Sequence, residues 1–301
     1  MDIVELMVLL PVSRLDFLRE CLASVDEAIL FSQLRGTIVI IDTSIQSSVN
    51  EEYILGLGIK SNIIILRQPG SGYGDALRSV RIDNDAIYVA LMNDDDVCEK
   101  SRFKECHIFI EENRLDAVHT LMQSFGINER KIRFNLYPRR HYSSFSLFFG
   151  PYGANATLFA KSSWWCQHIL LTQEVGEPFD WKFALKSYFG SEVGLVPKVL
   201  YMYRQHQMQI TRSQNYRKNL VQNMLPFLLN TYPDGENLRN PEALIRLIAF
   251  PYDLESKERI YLTDFIRFVR KMWPHFSQNR MWFIYHCNLR LAILVAKMAG
   301  L

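Results

Sequence analysis

The sequence predicts an α/β protein, with a mostly parallel central sheet flanked by helices and a helical C-terminal extension. Three observations predict it. Strand-length apolar runs occur at residues 4–12 (VELMVLLPV), 37–42 (TIVIID), 62–66 (NIIIL) and 86–92 (AIYVALM). Segments with helical spacing separate them, and such alternation points to parallel strands covered on both faces. From about residue 213 the pattern is helical to residue 301.

The elements follow in order. The first run ends at Pro11, and Ser13 stands where a helix N-cap belongs, with Asp16 three residues on as a weaker capping box. Leu15, Leu18, Leu22 and Val25 then give a helix one buried face. The run TIVIID is β-branched and too short for a buried helix. A glycine-rich turn, Gly70-Ser71-Gly72-Tyr73-Gly74, leads into the helical stretch ALRSV, and Asn93-Asp94-Asp95-Asp96 closes the fourth strand. Beyond residue 100, EKSRFKECHIFIEEN reads as a helix. LDAVHTL and KIRFNLY read as strands about a turn at Gly126-Ile127-Asn128. GANATLFAK reads as a strand entering a helix at SSWWCQHIL, FDWKFALKSYF as a further helix, and VGLVPKVLYMY as a strand reaching Arg204. The expected domains are 1–212, with halves 1–100 and 101–212, and a helical region 213–301.

Composition narrows the function. Hydrophobic residues make up 49% and charged residues 22%, which supports a packed core. With 34 basic and 32 acidic residues the net charge is +2, and a nucleic-acid binder would show a basic excess. The five cysteines are widely spaced without a CxxC pair, which argues against a zinc site or disulfide framework and suits a reducing cytosol. Asp2 and Glu5 interrupt the N-terminal apolar stretch and no basic segment precedes it, so no signal peptide is expected. No run of about 18 apolar residues marks a membrane span.

In open α/β sheets, function collects at the carboxyl ends of strands. Asp42, the glycine-rich turn and the aspartate run fall there. Three consecutive carboxylates form either an acidic turn or a site for an oxygen-preferring cation, Mn2+ or Mg2+, which would neutralise a departing diphosphate. Exposed amides of the glycine-rich turn can meet phosphate or ribose, or simply make a tight turn; neither GxxxxGKS nor a full GxGxxG is present. Asp180 begins a helix after Glu177-Pro178, which suits the helix dipole or a general base. Arg204 and His206, followed by Thr211-Arg212, form either a solvated loop or a grip on a diphosphate or metal.

Together these motifs, over about residues 4–212, resemble the inverting family 2 glycosyltransferases with their Rossmann-like glycosyltransferase-A fold. LLPVSRLDFLRECLASV is similar to the family's first strand and helix, which implies that Pro11, Val12 and Arg14 lie beside the nucleotide. IVIIDTS resembles the strand whose final Asp reads the base, so Asp42 takes that role. GSGYGDALRSV is similar to the GxGxAxxxG turn, placing Gly72, Gly74, Asp75 and Arg78 at the nucleotide, with Val80 at the last glycine position. VALMNDDDV resembles the family's DXD strand end. One register pairs Asn93 with Asp95; the other, favoured here, makes Asp94 and Asp96 the metal pair with His206, leaving Asp94 and Asp95 also at the nucleotide. FDWKFALK resembles the acceptor-side helix, with Asp180 as catalytic base and Trp181 beside the acceptor; Phe179 and Lys186 replace the family's Glu and Arg. YRQHQMQIT is similar to YRxHxxxxT and brings Arg204, with Arg212 beyond it, to the acceptor and phosphates. Gly153, Ala154 and Asn155 would lie near the sugar, and Trp164 and Trp165 either stack on an acceptor ring or pack the core.

The resemblance implies an inverting hexosyl transfer from a nucleotide-diphosphate sugar, with UDP favoured, to a glycan or lipid-linked acceptor in bacterial surface-glycan assembly. Residues 265–301 carry six Arg or Lys, seven aromatics and no Asp or Glu. Such a segment fits peripheral contact with an anionic membrane at its cytoplasmic face, a helical lid, or a contact within an oligomer. Two other classes compete: a nucleotidyltransferase, which would want a glycine-rich basic loop where Pro11-Val12-Ser13-Arg14 stands, and a non-catalytic nucleotide-sugar or carbohydrate-binding module.

Overall fold

The computed structural model describes residues 5–45, 49–82, 86–127, 155–169, 183, 192–208 and 266. The chain divides into two compact units, and every described residue except Ile266 belongs to the first. That unit is mixed α/β, as the sequence predicts, with eight strands in one sheet among the described residues.

The strands are β1 Leu6–Val12, β2 Gly36–Asp42, β3 Asn62–Arg67, β4 Tyr88–Leu91, β5 Val97–Cys98, β6 Ala117–Gly126, β7 Phe159–Lys161 and β8 Val193–Gln205. The helices are α1 Leu18–Ser32, α2 Glu51–Leu55, α3 Tyr73–Ser79, α4 Arg102–Asn113 and α5 Ser162–Ile169, with a 3₁₀ turn at Asn155–Thr157. The sheet order is β3-β2-β1-β4-β7-β6-β8-β5.

β1, β2 and β4 are mostly apolar because both faces are covered. Leu6, Val8, Leu10 and Val12 of β1, with Ile38 and Ile40 of β2, share one core with Leu18, Leu22 and Val25 of α1 and Phe103, Cys106 and Ile110 of α4. On the other face α3 packs against β1. β3 departs from the expectation of a buried strand. It is an edge strand, its residues alternate in exposure, and Ile64 is 43% exposed.

β1 pairs in parallel with β2 and β4, and β2 with β3. Their carboxyl ends therefore share one edge, and Val12, Asp42 and Arg67 lie side by side. Beyond β4 the sheet is mixed. β7 runs antiparallel to β4 and β6, β6 pairs in parallel with β8, and the two-residue β5 pairs antiparallel with the end of β8. Gly126 closes β6 at φ +96°, where a Cβ would stand 2.6 Å from the carbonyl oxygen of Gln205. Only a glycine meets both demands.

The helix start after β1 differs from the sequence expectation. α1 begins at Leu18 behind Phe17, with no side-chain cap. Ser13 instead gives its hydroxyl to a carboxylate 81 residues away.

Candidate functional site

The aspartate run leaves β4 at the edge where β1 and β2 also end, and its three carboxylates diverge. Asp94 turns to the β1–α1 loop: its Oδ2 accepts from Ser13 N (2.7 Å), Ser13 Oγ (3.1 Å) and Arg14 N (3.2 Å). Asp96 turns to β8. Its Oδ2 accepts from Tyr201 Oη (2.6 Å) and Asn93 Nδ2 (3.1 Å), and its Oδ1 from Arg204 N (2.7 Å). Asp95 lies between them: its Oδ2 is 3.1 Å from Arg14 Nη2 and 2.9 Å from His206 Nε2.

Burial shapes the electrostatics. It lifts the Asp96 carboxyl to about 7, with the Asp95 charge adding to the rise and the bonds from Tyr201, Arg204 and Asn93 opposing it. Burial also raises Asp94, against the lowering effect of the Ser13 amide. The Tyr201 phenol moves up through burial and the neighbouring Asp96 charge, so it stays a proton donor to that carboxylate.

The three carboxylates thus point in three different directions. Asn93 lies against Asp96, while Asp94 and Asp96 are spent on protein donors. Asp95 and His206 face one another, and His206 Nδ1 is buried with no hydrogen-bond partner among the described residues. Phe17 flanks the imidazole at 5.1 Å between ring centroids. Arg14 completes the cluster, with Nη1 3.4 Å from the Met208 carbonyl oxygen and a buried Nε that has no partner among the described residues.

Arg204 is held by the protein on every side. Its guanidinium lies between the rings of Phe17 (4.5 Å) and Phe125 (4.4 Å), its Nε donates to the Asp95 carbonyl (2.7 Å), and its Nη2 pairs with Glu20. Such a clamp fixes the aspartate run in place. Asp42 is fully buried. Its oxygens accept from Ser44 N (3.0 Å), Ser44 Oγ (2.6 Å) and Val49 N (3.0 Å), and it pairs with Arg67. The loop after β2 is therefore folded around this carboxylate.

On the glycine-rich turn, Gly72 precedes α3 and Gly74 is buried within it. Asp75 and Arg78 pair with one another at 2.6 Å, with Asp75 exposed. Pro11 and Val12 are buried at the end of β1. Asn155 opens the 3₁₀ turn beside β7. Trp164 was read as a sugar-stacking candidate, but it is 5% exposed and Trp165 1%, and both indoles pack against Phe183. Core packing claims both rings, which corrects the stacking role. Asp180, Trp181, Arg212, Gly153, Ala154 and the segment 265–301 apart from Ile266 lie outside the described residues.

Sequence reading missed Ser13 as the partner of Asp94, Tyr201 as the partner of Asp96, and the Phe17–Phe125 sandwich. It also missed Arg67, which a register argument could have found. Aligning TIVIID with NIIILR as neighbouring parallel strands sets Arg67 opposite Asp42.

No protein-family model matches the chain, and no curated protein does. Solved structures match at the level of fold. A crystal structure of S. aureus TarS residues 1–349 is 13% identical with a TM-score of 0.61, covering 99% of this chain and 92% of that one. The same fragment in complex with UDP-GlcNAc is 12% identical with a TM-score of 0.61, covering 98% and 92%. Against the longer TarS structure the identity is 13% and the TM-score 0.58, and this chain spans 54% of that chain. The chain thus shares its fold with a protein crystallised with UDP and with UDP-GlcNAc.

Proposed function

We propose that this chain is a metal-dependent, inverting glycosyltransferase that moves a sugar from a UDP-sugar to an acceptor hydroxyl. The observation that carries the reading is the Asp95–His206–Arg14 cluster at the strand-end edge. A structural neighbour that binds UDP-GlcNAc supports it.

The donor set fits a divalent cation. Asp95 Oδ2 and His206 Nε2 stand 2.9 Å apart, and that oxygen and nitrogen are the atoms through which the two residues would share a metal. A carboxylate suits Mg2+ or Mn2+, and the imidazole tilts the choice toward Mn2+. Among the described residues no third His, Cys, Asp or Glu joins them, so diphosphate oxygens and water would complete the shell. When bound, the cation would neutralise charge on the departing diphosphate.

The protein's own residues do the rest. Arg14 offers a partly buried guanidinium to the same phosphates. Asp94 holds the β1–α1 loop against the strand end, where the nucleotide would lie. Asp180 accepts the proton of the acceptor hydroxyl. That oxygen bonds to the anomeric carbon from the face opposite the leaving group, the carbon–oxygen bond to the phosphate breaks, and UDP departs with the electron pair. Opposed attack and departure give inversion. The basic, aromatic segment 265–301 is the part we assign to a membrane surface presenting a lipid-linked acceptor, in surface-glycan assembly. No helix among the described residues is long and apolar enough to cross a membrane.

Thermal stabilisation by nucleotide diphosphates and UDP-sugars, with manganese, magnesium or EDTA, tests the reading. A ligand of the native state stabilises by about 2.7 kcal/mol at a hundredfold excess over its Kd. A manganese-dependent shift with UDP, lost in Asp95→Ala and kept in Asp180→Asn while transfer disappears, is the expected result. No shift with any nucleotide would remove the reading. Biological function undiminished in Asp180→Asn would favour a non-catalytic binding module.

A further inference from the structure

Arg102 lies beside the aspartate run, and the proposed reaction leaves its chemistry unused. It is fully buried at the start of α4. A guanidinium stays charged at any accessible pH, so a full cation sits in the core. It forms no ion pair with a carboxylate of the described residues. Its fork is spent on main chain: Nη2 donates to the Leu91 carbonyl (2.9 Å) and the Ala156 carbonyl (2.7 Å), and Nη1 points at Met92 Sδ (3.3 Å). Its plane lies over Phe103 (5.4 Å) and Tyr201 (5.0 Å), and the Tyr201 hydroxyl in turn holds Asp96. Nε has no partner among the described residues.

Stability alone does not explain this arrangement. A buried cation without a partner carboxylate is expensive to desolvate, and an apolar side chain of similar length fills such a volume more cheaply. What an apolar side chain cannot supply is the link that Nη2 makes between two segments far apart in sequence. Leu91 ends β4 and launches the aspartate run. Ala156 lies in the turn that begins at Asn155 and enters β7.

We infer that Arg102 is a positioning residue: its buried guanidinium ties the β4 end to the Ala156 turn and sets the spacing between the aspartate-run side and the sugar side of the site. The naming of those two sides rests on the glycosyltransferase reading above; the link between the segments does not.

The test compares the full chain with Arg102→Met and Arg102→Lys. Methionine keeps an unbranched side chain and removes the charge and the fork. Lysine keeps the charge but is a point donor whose nitrogen stands one bond short of the Nη2 position, so it cannot hold both carbonyls in place. In Arg102→Met, amide hydrogen exchange at 92–96 and at 156–161 is expected to accelerate together, about tenfold or more, while amides 8–10 and 38–40 keep their protection. With UDP-GlcNAc and manganese, KM for donor hydrolysis should stay within about twofold while kcat falls about tenfold or more, because a displaced reaction partner costs rate rather than binding. Arg102→Lys is read by the same criteria and decides the matter if the methionine variant does not fold. Unchanged exchange in either segment, uniform loss of protection across the sheet, or an unchanged kcat overturns the inference. If the wild-type chain neither binds UDP nor turns over UDP-GlcNAc, the transferase reading fails, and the exchange result still decides whether Arg102 couples the two segments.

Discussion

In the half of the sheet formed by β3, β2, β1 and β4, every pairing is parallel and the strands follow the periodic signals of the sequence. In the half formed by β7, β6, β8 and β5, parallel and antiparallel pairings mix, one strand has two residues and another thirteen. The site draws on both. The first half gives it a rigid edge built from burial, with Val12 and Asp42 in register. The second gives it individual polar partners: Tyr201, Arg204 and His206 reach back to the carboxylates of the run. Burial rigidifies without specifying chemistry, and the polar partners specify it on a less regular frame.

Substitutions that separate burial from positioning sharpen this contrast. The largest stability loss is expected in the first half. Ile40→Ala in β2 should cost about 2–5 kcal/mol by denaturant unfolding, since the residue is fully buried between strand and helices. An equal loss from Val199→Ala in β8 would erase the distinction; that side chain is 41% exposed, and a change within about 0.5 kcal/mol is expected. Between these extremes stands Gly126→Ala. Its positive φ and the 2.6 Å approach to Gln205 predict a loss of about 1–3 kcal/mol. Because Gln205 adjoins His206, manganese-dependent UDP binding should weaken as well.

Titration separates the halves more finely. Burial, aided by the Arg102 charge, lowers His119 to about 3 from an ordinary 6.5. The unfolded chain then binds more protons, so His119 contributes stability above pH 6.5 that is lost as pH falls toward 3. Asp96 acts in the opposite sense. Its folded value near 7 lies above the ordinary 3.8, so the folded chain binds more protons, and its contribution is lost as pH rises from about 4 to 7. In the metal-free protein, His119→Gln should flatten the acid-side loss and Asp96→Asn the neutral-side loss in urea melts across pH. Identical profiles for both variants and the wild type would contradict these burial effects.

The contrast also marks what could be read without coordinates. Runs such as LMVLLPV and TIVIID are apolar on both faces, so their strands and parallel arrangement follow from composition and length. NIIIL carries the same signature, yet β3 is an edge, because sheet order is not encoded in one strand's pattern. The carboxylates and His206 were legible as residue types at strand ends. Their directions were not. Which of three adjacent aspartates faces the imidazole depends on Ser13 and Tyr201, 81 and 105 residues from the carboxylates they hold. The seat of Arg204 between Phe17 and Phe125 was not legible either, because the two rings come from other elements.

The irregular stretch of β8 has a further consequence. Between the Thr120–Val196 and Gly126–Gln205 pairs, β8 carries three more residues than β6, looped out around the exposed Pro197 and Lys198. Proline offers no ladder donor, so this is where a strand can depart from its neighbour without leaving a broken bond. Gains or losses of sequence length during descent would be absorbed in that slack. The phase of Tyr201, Arg204 and His206 against the aspartates would survive them, leaving the site insulated from indels in the strand that delivers it.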